Sequence, residues 1–434
     1  MKAPARLLGP WMLTALVVGN MIGSGVFVLP AALAPFGAAS LLGWAFTMGG
    51  ALLLALVHAW LSQIVANHGG AYAYARLAFG DSAGFVAAWS YWTCVWTANA
   101  AIAVAFAGSL GAIWPAANAT PWRGTAAALG VLWFCTAINA AGVREAGRMQ
   151  LVTTALKVIP LLVFGVCGLA LVHGAAYRPF NPSGQALTSV TTATAALTLW
   201  AFLGLEAATV PTGVVRDPQR TVPRATVAGM LIAGVATMLA CTAVIGLLPH
   251  GAAQASAAPM AAAAAQTWGP AAGWAMGLVA TVSCLGALNG WVLLQGQTPY
   301  AAAQDGLFPA PFARTDARGT PWFGLLLSSV LASVLIAANG SKSLVALFTL
   351  SILLSTAATL LPYVLSVLAW WRIDRGASVA RRTAAVLALA YSLWALIGTG
   401  AEALLWGGVL LLLGLPVFLW QRYRPAARRV SPER

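Results

Sequence analysis

The sequence predicts an all-α membrane protein, from its composition and from the recurrence of long apolar stretches. Of its 434 residues, 60% are hydrophobic and 7% are charged, whereas soluble domains carry about 25% charged residues. Apolar stretches of about 20 residues, each long enough to cross a bilayer as a helix, recur from end to end. We therefore expect one polytopic domain over residues 1–434, with short loops, in which the first apolar run belongs to the pattern and is not a removable signal peptide.

Twelve membrane spans are predicted by the spacing of the apolar stretches. With the N-terminus inside the cell, the cytoplasmic segments hold 19 of the 23 Lys and Arg residues, and this positive-inside asymmetry predicts that both termini are cytoplasmic. The net charge of +14 then reflects topology and contact with anionic lipid headgroups, and we expect no nucleic-acid partner. The twelve spans are approximately 9–35, 39–64, 83–112, 124–142, 149–173, 188–214, 225–248, 272–303, 320–339, 343–370, 383–400 and 402–421.

The reactive side chains argue against an enzyme, a metal centre or a channel. The four histidines are scattered and one acid lies in the middle of a span, which does not supply a paired nucleophile and base. The sequence shows neither a repeated filter loop nor a ring of charges of the kind that channels use. We expect no metal and no cofactor, because the five cysteines lack metal-ligand spacing and a disulfide framework; they are Cys94, Cys135, Cys167, Cys241 and Cys284.

Two of the predicted helices are interrupted near their middles. The first span contains "GNMIGSGVFVL" (Gly19–Leu29), with three glycines, an Asn and a Ser, and the sixth contains "TLWAFLGLEAATVPTGVV" (198–215), with Gly204, Glu206 and Pro211. Matching interruptions five helices apart predict an inverted repeat, because an odd number of helices reverses the second copy. The repeats are approximately 9–173 and 188–370, and the last two helices, approximately 383–421, are appended to them.

The interruptions indicate a binding site, since lipid cannot satisfy the backbone groups that a broken helix exposes. The half-helix that starts near Val26 would direct its N-terminal amides at the break, and these suit a carboxylate. The half-helices that end near Met21 and Ala201 would present carbonyl oxygens, which suit an ammonium group. A carboxylate and an ammonium close together describe the α-carbon end of an amino acid. The alternative is that these glycines serve only close helix packing.

Four segments resemble the amino acid–polyamine–organocation transporters, over approximately residues 8–420. The resemblance is greatest to the bacterial basic amino acid/polyamine antiporters of the arginine/agmatine type. It implies twelve helices in a leucine-transporter-like 5+5 inverted repeat with discontinuous helices 1 and 6, alternating access, a bacterial inner membrane and dimers among relatives. The segments are "GNMIGSGVFVLP" (19–30), "GGAYAYARLAFG" (69–80), "TLWAFLGLEAATVPTGVVRDPQRTVPRA" (198–225) and "GWVLLQGQTPYAAAQDGLFP" (290–309).

By this resemblance, the α-carbon end of a substrate lies at the two interruptions. Ser24 and Gly25 would take its carboxylate, and the backbone carbonyls of Met21, Trp200 and Leu203 would take its ammonium. The indole of Trp200 would also close the site on the substrate.

The resemblance places a second group of residues around the substrate's side chain. Trp291 would stack on a cationic side chain, and a tryptophan face attracts a cation by roughly 0.5–2 kcal/mol. The polar residues around the distal end would be Cys94, Asn99, Ser355 and Thr359. The gating or proton-sensing residues would be Tyr91, Lys157, Glu206 and Tyr363.

Two departures from the arginine/agmatine type leave the substrate open. The pocket wall has Val95, preceded by Cys94, where that type has a cysteine. Lys157 replaces an apolar residue in helix 5, at the place that a sodium ion occupies in sodium-coupled relatives. We therefore expect a sodium-independent antiporter of cationic amino acids and amines (arginine, ornithine and agmatine). The alternatives are a broad-specificity or neutral amino acid permease or exchanger, including a proton-coupled one, and a sensor that does not transport.

Two ionisable side chains within predicted spans are expected to be functional, and other residues are interpreted as structural. An ionisable residue within a span is costly and marks a functional site by default, which applies to Glu206 and Lys157. We interpret His58 as structural, because the sequence relates it to neither interruption. The Ala-rich stretch 252–266 is expected to be an external loop with a short surface helix.

Overall fold

The described part of the chain is helical, with no strand in it. The structure is a computed structural model that describes residues 9–65, 70–141, 143–209, 215, 217–317 and 319–422. Within these ranges there are seventeen α-helices, joined by short 3₁₀ turns and loops. They are α1 Pro10–Met21, α2 Gly25–Leu33, α3 Ser40–Ile64, α4 Ala71–Phe79, α5 Asp81–Ile113, α6 Pro121–Ala140, α7 Val143–Leu171, α8 Leu187–Leu199, α9 Pro218–Leu247, α10 His250–Ala255, α11 Pro259–Trp268, α12 Pro270–Gln304, α13 Trp322–Ala338, α14 Leu344–Ile373, α15 Val379–Gly398, α16 Gly400–Leu412 and α17 Gly414–Arg422.

Several helical stretches in the described residues are long and apolar enough to cross a bilayer. The seven that qualify are Gly25–Ile64, Asp81–Ile113, Gln219–Leu247, Pro270–Gln304, Leu344–Ile373, Val379–Gly398 and Gly400–Arg422. Four shorter apolar helices accompany them: Pro10–Met21, Leu156–Leu171, Leu187–Phe202 and Trp322–Ala338. The expectation of an all-α membrane protein is confirmed at this level, and the count of twelve spans stays a prediction.

Local sequence signals explain where the helices begin and end. α1 starts with Pro10, which lacks the amide hydrogen that a first helical residue would leave unbonded. The hydroxyl oxygen of Ser343 caps α14 by accepting from the Ala346 amide at 3.2 Å, and Ser378 caps α15 in the same way. Between α4 and α5, Gly80 has a φ of +85°, a backbone conformation that favours glycine and lets the chain reverse sharply.

The centre of the molecule is formed by α5 with α12 and α14 packed along it. Nearly all of α5 from Gly84 to Ser109 is buried, and many of these residues are alanine. Small side chains let helix backbones approach closely, which is how helices associate where apolar burial gives no driving force. The elements that carry the two interruptions pack beside this centre, so the scaffold positions them in its interior.

The segment between α9 and α12 departs from the expected surface helix. Two helices, α10 and α11, occupy it, and α11 packs along α12 and contacts α2 and α9. Met260, Ala263 and Ala264 of α11 are buried. The run of alanines therefore serves close packing. Residues 1–8, 66–69, 142, 210–214 (which include Pro211), 216, 318 and 423–434, which belong to the predicted spans, loops and motifs, lie outside the described residues.

Candidate functional site

The first helix is interrupted between Met21 and Gly25. Ile22 has a ψ of 92°, which is extended and ends α1. The first hydrogen bonds of α2 run from the Phe27 and Val28 amides to the Ser24 carbonyl, at 3.1 and 3.2 Å. The Gly25 amide lies before the first of these bonds, and the first amides of any helix have no partner within that helix. The Ser24 hydroxyl is buried and has no hydrogen-bond partner among the described residues, so the break offers a hydroxyl beside a helix N-terminus.

The second interruption follows α8. A 3₁₀ turn over Trp200–Phe202 leads into Leu203, which is extended, and into Gly204, which has a φ of +99°. A second 3₁₀ turn then runs from Leu205 to Thr209. The Trp200 carbonyl accepts from the Leu203 amide at 3.3 Å, so one of its two acceptor positions is already used.

The two interruptions lie against each other. A Cβ added to Gly204 would lie 3.2 Å from the Cβ of Asn20 in α1. A Cβ added to Gly25 would lie 2.7 Å from Cδ1 of the Trp200 indole. The structure thus brings Ser24, Gly25 and Trp200 together across two helices that are far apart in sequence, and glycine is required at the contacts.

Glu206 lies at the centre of a hydrogen-bonded cluster formed by three elements. Tyr91 of α5 donates to Oε1 at 2.8 Å, and Tyr363 of α14 donates to Oε2 at 2.7 Å. The Gly204 amide also donates to Oε2, at 3.2 Å. Two hydroxyl groups and one backbone amide thus donate to the two carboxyl oxygens. Tyr91, Glu206 and Tyr363, three of the four residues expected to act in gating or proton sensing, therefore meet. Their bonds tie the second interruption to α5 and α14.

Cys94, Ser355 and Thr359 form a second cluster between α5 and α14. The Cys94 sulfur lies 3.2 Å from the Ser355 hydroxyl and accepts from the Thr359 hydroxyl at 2.6 Å. The Ser355 hydroxyl also donates to the Cys94 carbonyl at 3.0 Å. These three polar residues, predicted to surround a substrate's distal end, thus bond to one another and hold α5 against α14.

Asn99 is the remaining polar residue of the predicted distal end. Its Nδ2 donates to Oε1 of Gln295 in α12 at 2.6 Å, while its Oδ1 is buried without a partner in the described part of the chain. Trp291 is buried one turn before Gln295 on α12, and no described ring contact or hydrogen bond joins it to the other predicted residues.

Lys157 reaches from α7 to the first interrupted helix. Its side chain is fully buried, and its ammonium nitrogen donates to the Gly19 carbonyl at 2.5 Å. Gly19 lies in the last turn of α1, just before the unwound segment. A lysine there can donate hydrogen bonds to carbonyl oxygens that a broken helix leaves exposed.

Sequence comparison identifies the class of protein to which this site belongs. The family model described as amino acid permease matches residues 8–419, nearly the whole chain. The chain belongs to the amino acid permease family. The predicted resemblance is therefore confirmed at the level of the family.

Relatives of the permease carry names of amine and amino acid transporters. Putrescine transporter PotE of Escherichia coli strain K12 is 32% identical over 429 residues, which cover 96% of each chain. A putative arginine/ornithine antiporter of Bacillus subtilis strain 168 is 33% identical over 437 residues, 91% of the permease and 92% of the relative. A cadaverine/lysine antiporter of E. coli strain K12 is 34% identical over 338 residues, 76% and 74% of the two chains. These relatives are transporters and not enzymes.

The sequence relates His58 to neither interruption and suggests a structural role, and the structure shows where it lies in the permease. The His58 ring packs edge-on against Tyr363, with ring centroids 5.2 Å apart, so it borders the Glu206 cluster. Its Nδ1 lies 2.9 Å from the Leu54 carbonyl, and its Nε2 is buried without a described partner. No pattern in the sequence connects α3 to α14, so this neighbourhood could not be predicted.

A charged cluster at one end of the permease also escaped prediction, although Tyr72, Arg76 and Asp305 lie in the two quoted motifs at 69–80 and 290–309. Arg76 of α4 lies 2.8 Å from Asp81 and 3.3 Å from Asp305, and Tyr72 donates to Asp305 at 3.2 Å. Burial and the charge of Asp305 raise the pKa of Tyr72. These contacts fasten the short helix α4 to the end of α12, beside a cavity of about 550 Å³.

Proposed function

We propose that this permease is a secondary active antiporter of cationic amino acids and amines that works without sodium by alternating access. The observation that carries the proposal is the contact between two interrupted helices, at Gly204 and Asn20, beside Glu206. Non-helical backbone inside a membrane is tolerated where it is buried in protein or lines a cavity, and paired interruptions of this kind mark transporter sites.

The first interruption supports recognition of an amino acid's α-carbon end. The Ser24 hydroxyl and the Gly25 amide lie at the N-terminus of α2, whose partial positive charge favours a carboxylate. The carbonyls of Met21, Trp200 and Leu203 follow the ends of the preceding half-helices and would receive the ammonium group. An amine that lacks the carboxylate would use only the second set of contacts.

The side-chain end is proposed to take a cation. The printed names of the relatives refer to putrescine, arginine, ornithine, cadaverine and lysine, all of which carry an amine or a guanidinium group. In this permease Trp291, Asn99, Cys94, Ser355 and Thr359 would line that end, and Tyr91, Glu206, Tyr363 and Lys157 would control opening or respond to protons.

Helix packing supports the proposed twelve-helix architecture with a 5+5 inverted repeat. Elements five predicted spans apart pack against each other: α1 against the 3₁₀ turn Leu205–Thr209, α3 against α9, α5 against α12, and α6 against α13. Such self-pairing is expected near a pseudo-two-fold axis. The repeats would cover approximately 9–173 and 188–370 within one domain, followed by the pair at 383–421, with both termini cytoplasmic in a bacterial inner membrane. A homodimer is part of the proposal.

A neutral amino acid exchanger is the second candidate function, and two observations favour it. Val95 is apolar and buried beside the cluster in which Cys94, Ser355 and Thr359 satisfy one another. Such a wall suits an aliphatic side chain better than a guanidinium group.

Counterflow in proteoliposomes tests the proposal. Vesicles loaded with ornithine or putrescine should take up labelled arginine faster than empty vesicles or vesicles loaded with leucine. If leucine competes well and neither amine competes, the neutral exchanger is the correct function. Saturable arginine binding without any flux would identify a sensor and refute transport.

A further inference from the structure

The orientation of the Gln295 amide is fixed by its neighbours. Its Nε2 lies 3.1 Å from the Leu325 carbonyl and 2.7 Å from the Ser329 hydroxyl, both on α13. A backbone carbonyl can only accept, so the NH₂ group must face α13. The Ser329 hydroxyl donates in turn to the Leu325 carbonyl at 3.0 Å, which leaves its oxygen free to accept from Gln295. The Gln295 oxygen is therefore turned toward α5.

The Gln295 oxygen in turn fixes the amide of Asn99. It accepts from Asn99 Nδ2 at 2.6 Å. If the Asn99 amide were flipped, its oxygen would face the Gln295 oxygen at about the same distance, and two acceptor oxygens repel each other. Both residues are fully buried, so water does not relieve the conflict. Asn99 therefore presents Oδ1 as its free group, and that oxygen has no partner in the described part of the permease.

The position of Asn99 relates this free oxygen to the proposed substrate. On α5, Tyr91, Val95 and Asn99 are spaced four residues apart and share a helix face, and the Tyr91 hydroxyl bonds to Glu206. On α12, Trp291 lies one turn before Gln295. An amide that could turn freely would suit a donor or an acceptor equally, whereas a fixed oxygen suits only a donor such as an ammonium or guanidinium group.

We propose that Gln295 is a positioning residue that sets substrate preference, by holding the Asn99 amide with its oxygen toward the substrate. The inference rests on the proposed transport function and deepens it, since it states why a cation would be preferred. A neutral aliphatic side chain leaves the Asn99 oxygen unsatisfied in a buried site, and such a group is costly. Gln295 itself does not touch the substrate.

The test compares affinities for arginine and leucine in Gln295→Met. Methionine keeps the volume and removes both polar atoms, so Asn99 is free to turn. The preference for arginine over leucine should fall roughly tenfold, mainly through a higher KM for arginine. Ser328→Ala is the matched control, because its hydroxyl accepts from Trp92 at 2.7 Å and meets Gln295 only at the backbone carbonyl, at 3.3 Å, and not at the side-chain amide.

A double-mutant cycle separates positioning from general disturbance. In an Asn99→Ala background, Gln295→Met should change the preference no further, because its effect passes through Asn99. An unchanged preference in Gln295→Met, an equal loss in Ser328→Ala, or additive losses in the double variant would each overturn the inference. If Gln295→Met does not fold, Ser329→Ala removes one of the two groups that hold Nε2 and should give a smaller loss in the same direction, and no loss would overturn the inference.

Wild-type measurements keep this inference distinct from the proposed function. A wild-type permease that prefers leucine refutes the cationic antiporter before any variant is made. A wild-type permease that prefers arginine, together with a Gln295→Met variant that keeps that preference, refutes only the role of Gln295.

Discussion

At the scale of single residues, the interior of the permease holds polar atoms that its own chain leaves unbonded. Ser24 Oγ and Asn99 Oδ1 are two such atoms in the described residues, one at the first interruption and one beside α12. Each unsatisfied buried group costs about 1–3 kcal/mol. A ligand that bonded to both would recover that free energy, so these atoms bracket the space in which we expect the substrate.

Gly25→Leu is expected to abolish substrate binding in a protein that still folds. Even a Cβ at this position would lie 2.7 Å from Trp200 Cδ1, so a leucine side chain must displace the indole from the break. The measurement is arginine binding to purified protein, with thermal unfolding as the check on folding. Gly130→Leu is the control, because Gly130 on α6 is exposed and a Cβ there meets no atom within 4 Å. Normal affinity in Gly25→Leu would exclude recognition at this backbone.

Glu206→Gln is expected to lower turnover roughly tenfold. The amide keeps the shape of the carboxyl group, but its NH₂ group cannot accept from a tyrosine hydroxyl, so one of the two bonds from Tyr91 and Tyr363 is lost. Exchange rates and equilibrium arginine binding, measured on the same preparation, test this. The control is Glu402→Gln, which changes an exposed acid near the start of α16. An unchanged exchange rate in Glu206→Gln would show that these bonds do not contribute to turnover.

Site residues could be predicted where the residue type is energetically unfavourable in an apolar membrane span. Gly25, Ser24, Glu206 and Lys157 are conspicuous because glycine, a hydroxyl or a charge in an apolar run requires an explanation. Gln295 is equally polar, but its meaning depends on Asn99 and on two groups of α13 that are distant in sequence. Which residues a side chain contacts depends on how the helices pack, and the spacing of residues along one helix does not reveal it.

At the scale of elements, two short helices are each tied to a distant element by one side chain, in addition to their packing. Lys157 of α7 bonds to Gly19 near the end of α1, and Asp305 at the end of α12 bonds to Arg76 and Tyr72 of α4. The interruptions themselves were predicted from glycine content, and the observed bounds of α1 and α2 agree with them. The partners of the two tethers could not be predicted, since nothing in the sequence relates Lys157 to Gly19 or Asp305 to Arg76.

Asp305→Asn is expected to loosen α4 without unfolding the permease. Arg76 and Asp305 have side chains that are 33% and 42% exposed, so the pair contributes about 1 kcal/mol or less. Hydrogen exchange of α4 amides should accelerate by a few-fold at most, and high salt should reduce the difference. Asp374→Asn is the control, because Asp374 pairs with Arg381 at the junction of α14 and α15 and not with a residue of α4. Unchanged exchange in Asp305→Asn would show that Tyr72 and apolar contacts suffice.

Lys157→Ala is expected to impair turnover more than substrate affinity. Removal of the ammonium leaves the Gly19 carbonyl buried without its donor and uncouples α7 from α1. Exchange rate and equilibrium binding, measured on the same preparation, separate the two effects. Loss of binding with normal turnover of the bound fraction would contradict the expectation.

At the scale of the whole molecule, helix content and membrane class could be predicted from composition alone, because each span is an independent apolar segment. Which helices meet could not be predicted without the resemblance, since helix pairing within a bilayer depends on small residues that are frequent everywhere in this chain. The last helices illustrate the difference. Apart from Glu402, Gln421 and Arg422, α16 and α17 are apolar, and they are mostly exposed. Trp89 of α5 bonds to the Leu410 carbonyl of α16 at 2.8 Å. Their outer face is left for lipid or for a second copy.

Uptake by the wild-type permease is expected to be the same in sodium and in choline. The fully buried Lys157 nitrogen bonds to Gly19 at the end of α1, so we expect it to occupy the place that a bound ion would take beside the interruption. The measurement is counterflow at fixed pH and ionic strength with one cation replaced by the other. Stimulation by sodium would show that Lys157 does not take the place of an ion.

The bond between Lys157 and Gly19 also bears on the electrical work of the cycle. Lys157 is part of the chain and does not leave with the substrate as a sodium ion would, so under the proposed exchange the charge moved per cycle is that of the exchanged molecules. An amino acid with one net positive charge, exchanged for a diamine with two, transfers one elementary charge. An interior-negative membrane potential opposes diamine export by about 2.3 kcal/mol per 100 mV. Under the proposed exchange, the cell must therefore maintain a diamine gradient to drive export, and voltage alone would run the exchanger in reverse.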